Sequence, residues 1–453
     1  MEVSNFARVM IAGTGSGCGK TTVTCGILKA LINRNIKTAA FKCGPDYIDP
    51  MFHTEIIRTK SRNLDEFLCG ENTVKYLFAK NSENTDISVL EGVMGFYDGL
   101  GNDGSYSSYS ISKHTGTPVV LVVNGKGMSL SIAAMVKGYA DFMPNNIKGI
   151  IINAVSPGTY PMYKHMIEEH TQLKVLGFLP RLPEAMIESR HLGLVTASEL
   201  ENLQQKLNLL AENVEKYIDI DGLLKLAQTA LPLEYEPIKF NDKYPCNIAV
   251  AKDLAFCFYY QDSLELLKQL GAKLTFFSPL HDKALPENIS GLILGGGYPE
   301  LYAKELSQNK SMLRDIKKAI NKGTPTYAEC GGFMYLQQAI IDMKGISNPM
   351  VDVIKGSSTL QKKLDRFGYA TLKAKRDNLL CLKGDRLNAH EFHYSNSDNN
   401  GSDFEAAKPN SDKKWDCIFA TDTLFAGYPH MHFYGNIDCA RKFVQKCSEV
   451  ECR

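Results

Sequence analysis

The fold is decided by the stretch ARVMIAGTGSGCGKTTVT, residues 7–24. Its first residues form a continuous apolar run, which is typical of a buried strand, and its last residues have the spacing of a helix. A glycine-rich turn between a strand and a helix lets backbone N–H groups converge on phosphate oxygens, and the helix N-terminus attracts negative charge. The usual phosphate loop has four residues between its glycines, whereas five separate Gly13 from Gly19 here. The stretch therefore predicts a phosphate-binding loop with one additional residue.

The loop and the helix that follows it supply the predicted phosphate ligands. Lys20 would neutralise the outer phosphates of a nucleotide, and the hydroxyl of Thr21 would bind Mg²⁺. Lys42, in the next apolar run, is either a further phosphate ligand or an ordinary surface amine. The residues predicted from the sequence to bind ATP and its phosphates are Gly15, Gly17, Gly19, Lys20, Thr21, Thr22 and Lys42.

Two acidic residues lie where a metal ion at this loop would need them. Glu91 ends the run DISVLE, and Asp46 lies in FKCGPDYIDP, directly after the second apolar run. Both would emerge at the carboxyl edge of a parallel sheet, and Mg²⁺ prefers hard oxygen ligands. The alternative for Glu91 is a solvated acid at a strand end, and the alternative for Asp46 is a turn-forming aspartate. Thr21, Asp46 and Glu91 are therefore the predicted metal ligands.

The same alternation of strands and helices extends along the chain. Up to residue 179, apolar runs such as TPVVLVVN and IKGIIIN alternate with segments of helical spacing, which predicts a doubly wound parallel sheet. Prolines and charges in QTALPLEYEPIKFNDKYP, residues 228–245, indicate an interdomain linker. The alternation then restarts at NIAVA. We therefore expect an α/β protein with two doubly wound domains, residues 1–230 and 246–453, joined by a linker at 231–245.

A second site is predicted around Cys330 in TPTYAECGGFMYL. The cysteine lies between a strand and a helix and is followed by two glycines, which is typical of a nucleophile elbow. Gly296 and Gly297, at the end of the run LILGGG, could form an oxyanion hole with their N–H groups. This order of a glycine-rich strand end, an elbow cysteine and a distant histidine is that of class I glutamine amidotransferases.

Two histidines in AGYPHMHFYGN are candidates to activate the cysteine. In the commonest version of the amidotransferase family, a glutamate two residues after the histidine orients it, but neither His430 nor His432 has one. His430 is preferred because its spacing from Ala426 matches the related families, and His432 remains an alternative. We therefore expect a dyad, or a triad completed from elsewhere in the chain.

The segment NAHEFHYSNSD contains a polar cluster of His390, Glu391, His393, Tyr394 and Ser395. Two histidines three residues apart could indicate a metal, but a zinc site would need further ligands. A loop that contacts substrate, through His390 and His393, and a purely structural role are the two interpretations that remain.

The composition excludes several classes of protein. The 51 basic and 50 acidic residues nearly cancel, which gives no long-range attraction for nucleic acid or an anionic membrane. No apolar run approaches the length of about 20 residues needed to span a bilayer, and MEVSNFARVMIAG has no basic region followed by a long apolar run, so we expect no signal peptide. Its 12 cysteines are scattered without paired spacing, which favours free thiols. We expect a cytoplasmic protein that binds neither nucleic acid nor membrane.

Taken in order, the motifs resemble those of the cobyrinic acid a,c-diamide synthases, which are glutamine-dependent amidoligases of corrinoid biosynthesis. The resemblance covers nearly the whole chain and rests on AGTGSGCGKTTVT, FKCGPDYIDP, LEGVMGFYDG, LVVNGKGMSLSIAA, IINAVSPGTY, SRHLGLV, LILGGGYPEL, AECGGFMYL, HEFHYS and HMHF. It implies an N-terminal domain like dethiobiotin synthetase, whose phosphate loop has the same additional residue. It also implies a C-terminal flavodoxin-like glutaminase domain of the cobyric acid synthase type.

The resemblance further implies ligands and roles. Mg²⁺ and ATP would lie among the loop residues, Asn153 would lie near the adenine, and Asp46, Tyr47, Asp98, His390 and His393 would contact substrate. Glutamine would release ammonia at Cys330, and ATP would convert a substrate carboxylate to an acyl phosphate, which ammonia then attacks. The substrate would be a corrinoid or another tetrapyrrole, and a homodimer is compatible with the family.

Other readings of these motifs remain. The sequence distinguishes poorly between amidation of cobyrinic acid and the same reaction on nickel sirohydrochlorin or hydrogenobyrinate. The residues of GPDYIDP and HEFHYS resemble those of the a,c-diamide synthases and argue against a cobyric acid synthase. The alternative from another class is a switch ATPase of the partitioning type. Such proteins have a second lysine early in the loop, where this chain has Gly15, and they do not need an elbow cysteine.

Overall fold

In the computed structural model, residues 1–185 and 197–450 are described, and the side chains of residues 197–200 are left aside. The motif SRHLGLV, residues 189–195, lies outside the described part. The chain divides into two compact units, one formed by residues 1–66 and 70–238 and the other by residues 67–69 and 239–453.

The first unit is built on a parallel sheet. Seven strands of the described chain form it, in the spatial order β4-β3-β5-β2-β6-β7-β8. The strands of this unit are β1 (Glu2–Ser4), β2 (Arg8–Gly13), β3 (Thr38–Cys43), β4 (Lys60–Leu64), β5 (Ile87–Glu91), β6 (Val119–Asn124), β7 (Ile147–Asn153), β8 (Lys174–Leu179) and β9 (Leu233–Tyr235). Strand β9 lies inside the segment predicted as a linker and pairs antiparallel with β1.

Helices connect and cover these strands. They are α1 (Lys20–Asn33), α2 (Ile48–Phe52), α3 (Glu66–Cys69), whose last three residues belong to the second unit, α4 (Glu71–Ser82), α5 (Ser108–His114), α6 (Ser131–Asp141), α7 (Tyr160–Thr171), α8 (Ala197–Tyr217) and α9 (Ile220–Ala227), with a π-helical turn at His53–Ile57 and a 3₁₀ turn at Pro183–Ala185. Strand β2 is buried along its whole length, because it lies in the middle of the sheet. The phosphate loop therefore leaves the centre of the carboxyl edge, where such sheets bind ligands.

The second unit has a smaller, mainly parallel sheet of the order β11-β10-β12-β13-β23-β22, in which β22 alone of the strands described runs antiparallel to its neighbour. Its first half comprises β10 (Cys246–Ala251), α10 (Gln261–Gln269), β11 (Ala272–Phe277), β12 (Gly291–Leu294), a 3₁₀ turn (Pro299–Tyr302), α11 (Ala303–Gln308), α12 (Lys310–Asn321), β13 (Thr326–Glu329) and α13 (Gly331–Leu336). The prediction of an α/β fold with parallel sheets in both halves of the chain is confirmed.

Two further sheets of the second unit were not predicted. They are a four-stranded sheet, β15-β14-β16-β19, and an antiparallel five-stranded sheet, β21-β20-β17-β18-β24, as far as the chain is described. The remaining elements are β14 (Ala339–Ile341), β15 (Ser347–Pro349), β16 (Ser357–Leu360), β17 (Arg366–Ala374), β18 (Arg386–His393), β19 (Ser395–Ser397), β20 (Phe404–Ala407), β21 (Lys414–Cys417), β22 (Phe419–Ala420), β23 (Leu424–Gly427), β24 (His430–Met431), a 3₁₀ turn (Phe433–Gly435) and α14 (Ile437–Ser448). Strand β24, which contains His430 and is followed directly by His432, joins the antiparallel sheet.

The described part of the chain also bears on the cysteines and on membrane-spanning helices. Each cysteine in the described part is a free thiol, as predicted. Of the helices that the structure describes, none is both long and apolar enough to cross a membrane.

Gly26, within α1, allows α1 to pack closely on α8. A Cβ added at this position would lie 2.6 Å from Cγ2 of Val214, so we expect Gly26→Ala to reduce the free energy of unfolding by about 1–3 kcal/mol. Gly138, in α6, has nothing within 4 Å of the same position. Gly138→Ala is the matched control, and we expect it to stabilise the protein by about 0.5–1 kcal/mol because alanine favours helix. Urea unfolding followed by circular dichroism measures both changes, and equal effects of the two variants would contradict the packing argument.

Candidate active sites

The phosphate loop is held open by glycines and braced by an amide. Gly17 and Gly19 have φ angles of 75° and 101°, a region that favours glycine. Nδ2 of Asn153, at the end of β7, donates to the carbonyl of Cys18 at 2.9 Å. A Cβ on Gly19 would lie 2.0 Å from that same amide. Asn153 thus contacts the loop itself and fixes its conformation.

Lys20 turns back over this loop. Its ammonium group donates to the carbonyl of Gly15 at 2.9 Å, and burial lowers the pKa of Lys20. The hydroxyl of Tyr139 donates to the carbonyl of Thr14 at 2.7 Å, a brace that sequence analysis missed because Tyr139 lies in an unrelated helix. Thr22, also predicted to bind phosphate, lies in the first turn of α1 and is partly exposed.

Glu91 is at the centre of a buried group of polar side chains. It is fully buried, and its Oε1 accepts from the hydroxyl of Thr21 at 2.6 Å and from Nζ of Lys42 at 2.9 Å. Nε2 of His53 lies 3.4 Å from its other oxygen. The structure therefore brings Thr21, Lys42 and Glu91 together. The solvated acid considered for Glu91 and the surface amine considered for Lys42 are both excluded.

The charged side chains in this group shift one another's pKa values. Burial opposes ionisation of Glu91, but the charge of Lys42 and the contacts of His53 and Thr21 lower its pKa well below the usual value. Burial would lower the pKa of Lys42, but Glu91, Asp49 and Asp46 raise it well above the usual value. Lysine and glutamate are thus both charged near neutral pH.

Asp49 is a member of the group that sequence analysis missed. Its Oδ2 lies 2.5 Å from Nζ of Lys42, and burial, followed by the charges of Glu91 and Asp46, raises its pKa to about 7. The signal was a second aspartate in GPDYIDP, three residues after Asp46.

The other predicted substrate residues of this unit lie in turns near the loop. Oδ1 of Asp46 accepts from the backbone N–H groups of Ile48 and Asp49 at 2.8 and 3.1 Å. This oxygen therefore stabilises a turn, as in the turn-forming alternative considered for Asp46. Tyr47 is buried beside it. Asp98 is exposed and accepts from the N–H of Gly95 at 2.8 Å. Its negative charge partly offsets the lowering of the Lys20 pKa by burial.

The donor set fits Mg²⁺. Thr21 and Glu91 offer hard oxygens 2.6 Å apart, and adjacent ligands of an octahedral Mg²⁺ lie about 3 Å apart, since each bond is about 2.1 Å. Magnesium commonly takes only one or two carboxylates and completes its shell with phosphates and water. Among the described residues, no group of three His, Cys, Asp or Glu side chains could hold a metal by itself.

In the second unit, Cys330 is on a strained turn. Its φ and ψ are 47° and −102°, unfavourable for a residue with a side chain, and its N–H donates to the carbonyl of Gly427 at 2.8 Å. Gly332 must lack a side chain, because a Cβ there would lie 2.0 Å from the carbonyl oxygen of Leu294. Strand β13 and helix α13 therefore meet in the geometry of a nucleophile elbow.

His430 is held beside this cysteine by a glutamate. Its Nδ1 lies 3.2 Å from Oε1 of Glu329, the residue immediately before Cys330. The hydroxyl of Tyr327 donates to the other oxygen of Glu329 at 2.5 Å. Burial would lower the pKa of His430, but the charges of Cys330 and Glu329, and hydrogen bonds to both, raise it to about 10. Cysteine, histidine and glutamate thus form one connected group.

His432 lies in a different environment. Its Nδ1 accepts from the backbone N–H of Tyr434 at 3.3 Å, and its ring packs on Tyr260. Burial lowers its pKa to about 3, so the ring is neutral and caps a turn. The structure brings His430, and not His432, to Glu329.

The predicted oxyanion glycines border the elbow. A Cβ on Gly296 would lie 2.6 Å from Cε1 of His430, and a Cβ on Gly331 would lie 3.2 Å from the backbone nitrogen of Gly297. Gly297 has a φ of 153°, and a Cβ on it would lie 2.2 Å from the carbonyl oxygen of Ala255. Gly296, Gly297 and Gly331 therefore each lack room for a side chain.

The histidines of HEFHYS lie on β18, next to β24. His390 is directly opposite His430 across the two strands, and burial, then the charge of His430, lowers its pKa to about 3. His393 is buried on the other face of the strand, with its Nδ1 2.7 Å from the carbonyl oxygen of Ser395. Both lie beside the elbow rather than on an exposed loop.

Comparison with known proteins identifies both halves of the chain. Residues 9–194 match the CobQ/CobB/MinD/ParA nucleotide binding domain, and residues 247–437 match the CobB/CobQ-like glutamine amidotransferase domain. The chain is 42% identical to the cobyrinate a,c-diamide synthase of Caldanaerobacter subterraneus, over 97% of this chain and 98% of the relative. It is 42% identical to that of Salmonella typhimurium, over 94% of each chain, and 39% identical to that of Thermoplasma volcanium, over 97% of each.

The chain belongs to the cobyrinate a,c-diamide synthase family. It is a glutamine-dependent ligase whose nucleotide-binding domain uses ATP. The resemblance drawn from the motifs is confirmed, and the switch ATPase is excluded as the activity of the whole chain, because the relatives match it from end to end.

Glu329 should determine the charge of His430. We expect Glu329→Gln to lower the pKa of His430 from about 10, because an amide lacks the negative charge that favours the imidazolium. Since the raised pKa keeps the ring protonated through neutral pH, the variant ring should lose its proton at a lower pH. Histidine-selective NMR titration measures the shift, with Glu405→Gln, an exposed change, as the control. An unaltered titration of His430 would refute the coupling.

Proposed function

We propose that this protein catalyses the ATP- and glutamine-dependent amidation of the a and c side-chain carboxylates of cobyrinate in cobalamin biosynthesis. The observation that carries the proposal is that one chain, similar end to end to named cobyrinate a,c-diamide synthases, combines an elbow Cys330 beside His430 with a phosphate loop beside Glu91. One site can release ammonia, and the other can activate a carboxylate to receive it.

The glutaminase half follows from the charges at the elbow. The Cys330 thiolate attacks the amide carbon of glutamine, and the N–H groups of Gly296 and Gly297 stabilise the oxyanion that forms. His430, protonated and held by Glu329, donates a proton to the departing nitrogen, so ammonia leaves and a thioester remains. Water, deprotonated by the now neutral His430, hydrolyses the thioester to glutamate and regenerates the thiolate.

The synthase half requires a better leaving group than hydroxide. A substrate carboxylate attacks the γ-phosphorus of ATP and forms an acyl phosphate with release of ADP, and ammonia then displaces phosphate to form the amide. Lys20 and Lys42 offset the negative charge on the transferred group, and Glu91 and Asp49 hold Lys42 in position. The amides of Gly15, Gly17 and Gly19 and the start of α1 orient the phosphates.

Mg²⁺ would be held by Thr21 and Glu91, with Asp46 as the further predicted ligand, and when bound it would supply charge stabilisation to the phosphates. Thr22 and Asn153 complete the nucleotide site, the latter by fixing the loop. Asp46, Tyr47, Asp98 and His390 are proposed to contact the corrinoid. Nickel sirohydrochlorin and hydrogenobyrinate remain the competing substrates.

Direct incubation tests the substrate. Purified protein with ATP, Mg²⁺ and glutamine should convert cobyrinate to a diamide, with one glutamate and one ADP formed for each amide. Mass spectrometry of parallel reactions with nickel sirohydrochlorin and hydrogenobyrinate identifies the preferred tetrapyrrole. Faster amidation of either of these would overturn the assignment of cobyrinate but not of the ligase.

Two variants separate the two sites. Cys330→Ala should abolish glutamine-dependent amidation and retain activity with high concentrations of ammonia, because only the nitrogen source is lost. Lys20→Ala should reduce amidation from either source by at least about 100-fold, since a charge contact to the transferred phosphoryl group contributes several kcal/mol. Product formation with glutamine and with ammonium chloride measures both. Loss of ammonia-dependent activity in a folded Cys330→Ala variant would contradict the division into two sites.

A further inference from the structure

Glu391, in the middle of β18, is a buried carboxylate without hydrogen bonds. It is 2% exposed, and neither of its oxygens has a hydrogen-bond partner in the part of the chain that the structure describes. Buried polar groups are almost always hydrogen-bonded, and an ionised carboxylate is strongly unfavourable in the interior unless it is paired. Such a side chain is expected where a ligand supplies the missing donors.

Two neighbours approach Glu391 but do not satisfy it. Nη1 of Arg366 and Nε2 of His393 lie 3.8 and 3.7 Å from its Oε2, which is beyond hydrogen-bond range. The guanidinium group of Arg366 lies over the ring of Trp415, 4.7 Å from its centroid. Arg366 therefore offers a compensating charge to the carboxylate, while the hydrogen-bonding capacity of both oxygens remains open.

His393 adds a third acceptor. Its Nδ1 lies 2.7 Å from the carbonyl oxygen of Ser395, and because a carbonyl can only accept, Nδ1 must carry the proton. In the neutral ring Nε2 is then an acceptor, and it too is buried without a partner among the described residues. Glu391 and His393 thus present three acceptor atoms in one place, which suits a ligand that is rich in donors.

These acceptors are linked by side-chain contacts to the helix that follows Cys330. The His393 ring stacks on Tyr428 with centroids 3.9 Å apart and planes inclined by 10°. Tyr428 in turn packs edge-on against Phe333, in the helix that begins directly after Cys330. The hydroxyl of Ser395 also contacts the sulfur of Met334 in that helix, at 3.3 Å. Through Tyr428 and Ser395, the site is therefore in contact with the helix that follows the nucleophile.

We propose that Glu391 and His393 bind a protonated amine, and that this amine is the α-ammonium group of the glutamine that Cys330 attacks. An ammonium group has three N–H donors and no acceptor, which matches three acceptors on the protein. The inference rests on the proposed function, because it takes glutamine as the substrate of Cys330. Ammonium released by the reaction has the same chemistry, so the experiment must distinguish the two sources.

Labelling of Cys330 tests the site without the synthase reaction. The diazoketone 6-diazo-5-oxo-norleucine carries the amino-acid group of glutamine, whereas iodoacetamide does not. We expect Glu391→Gln to slow labelling by the diazoketone by about 10- to 100-fold, the effect of losing charge-assisted hydrogen bonds. The rate with iodoacetamide should stay within about twofold, as should both rates in Glu405→Gln, an exposed change on β20 of the same sheet.

Steady-state kinetics identifies the occupant. The KM for glutamine should rise by about 10- to 100-fold in Glu391→Gln. The KM for 4-carbamoylbutanoate, which lacks the amine, should rise less than the KM for glutamine does. A rise in the KM for ammonia with an unchanged KM for glutamine would overturn the assignment to glutamine. Wild-type labelling rates with both reagents, or an equal fall in both, would refute a recognition role. Failure of the diazoketone to label even the wild-type Cys330 would instead contradict the proposed function.

Discussion

The compensation of one buried charge organises the nucleotide-binding unit. Glu91 ends the strand next to β2 in a completely buried position, and such a carboxylate is tolerated only with partners. Its partners come from three other elements: Thr21 from the start of α1, Lys42 from β3 and His53 from the π-helical turn. The same contacts that stabilise the charge therefore orient a hydroxyl, an ammonium group and a carboxylate toward the phosphate loop.

The second unit also uses a buried carboxylate to position its reactive partners, but for a different reaction. Glu329 and Cys330 are neighbours in sequence, and the strained backbone of Cys330 separates their environments. Glu329 contacts His430 and Tyr327, and although burial opposes protonation of His430, its interactions with Cys330 and Glu329 raise its pKa to about 10. The histidine can therefore stabilise a thiolate and also supply a proton to a leaving amine, which are the two requirements of thioester formation from an amide.

Much of both sites could be predicted from local patterns. The sequence predicts correctly that the phosphate loop and Cys330 each lie between a strand and a helix. Such strand–turn–helix signals depend on residues that are close in sequence. The antiparallel sheet that carries β18 and β24 was not predicted. Its strands pair over long separations, and the polar–apolar alternation in RLNAHEFH covers only the first five residues, because two polar residues, His390 and Glu391, then stand side by side. The histidine motif was consequently interpreted as a loop.

What the sequence by itself determined was the presence of two reactive centres and the chemistry that each residue type permits. Only the tertiary structure decided the partners. Glu329 and His430 are 101 residues apart and Lys42 and Glu91 are 49 apart, and no spacing rule links such pairs. The choice of His430 over His432, the entry of Asp49 and the open acceptors of Glu391 all depend on which side chains the fold buries together. Burial sets the cost of an unpartnered charge, and that cost exists only once the chain has folded.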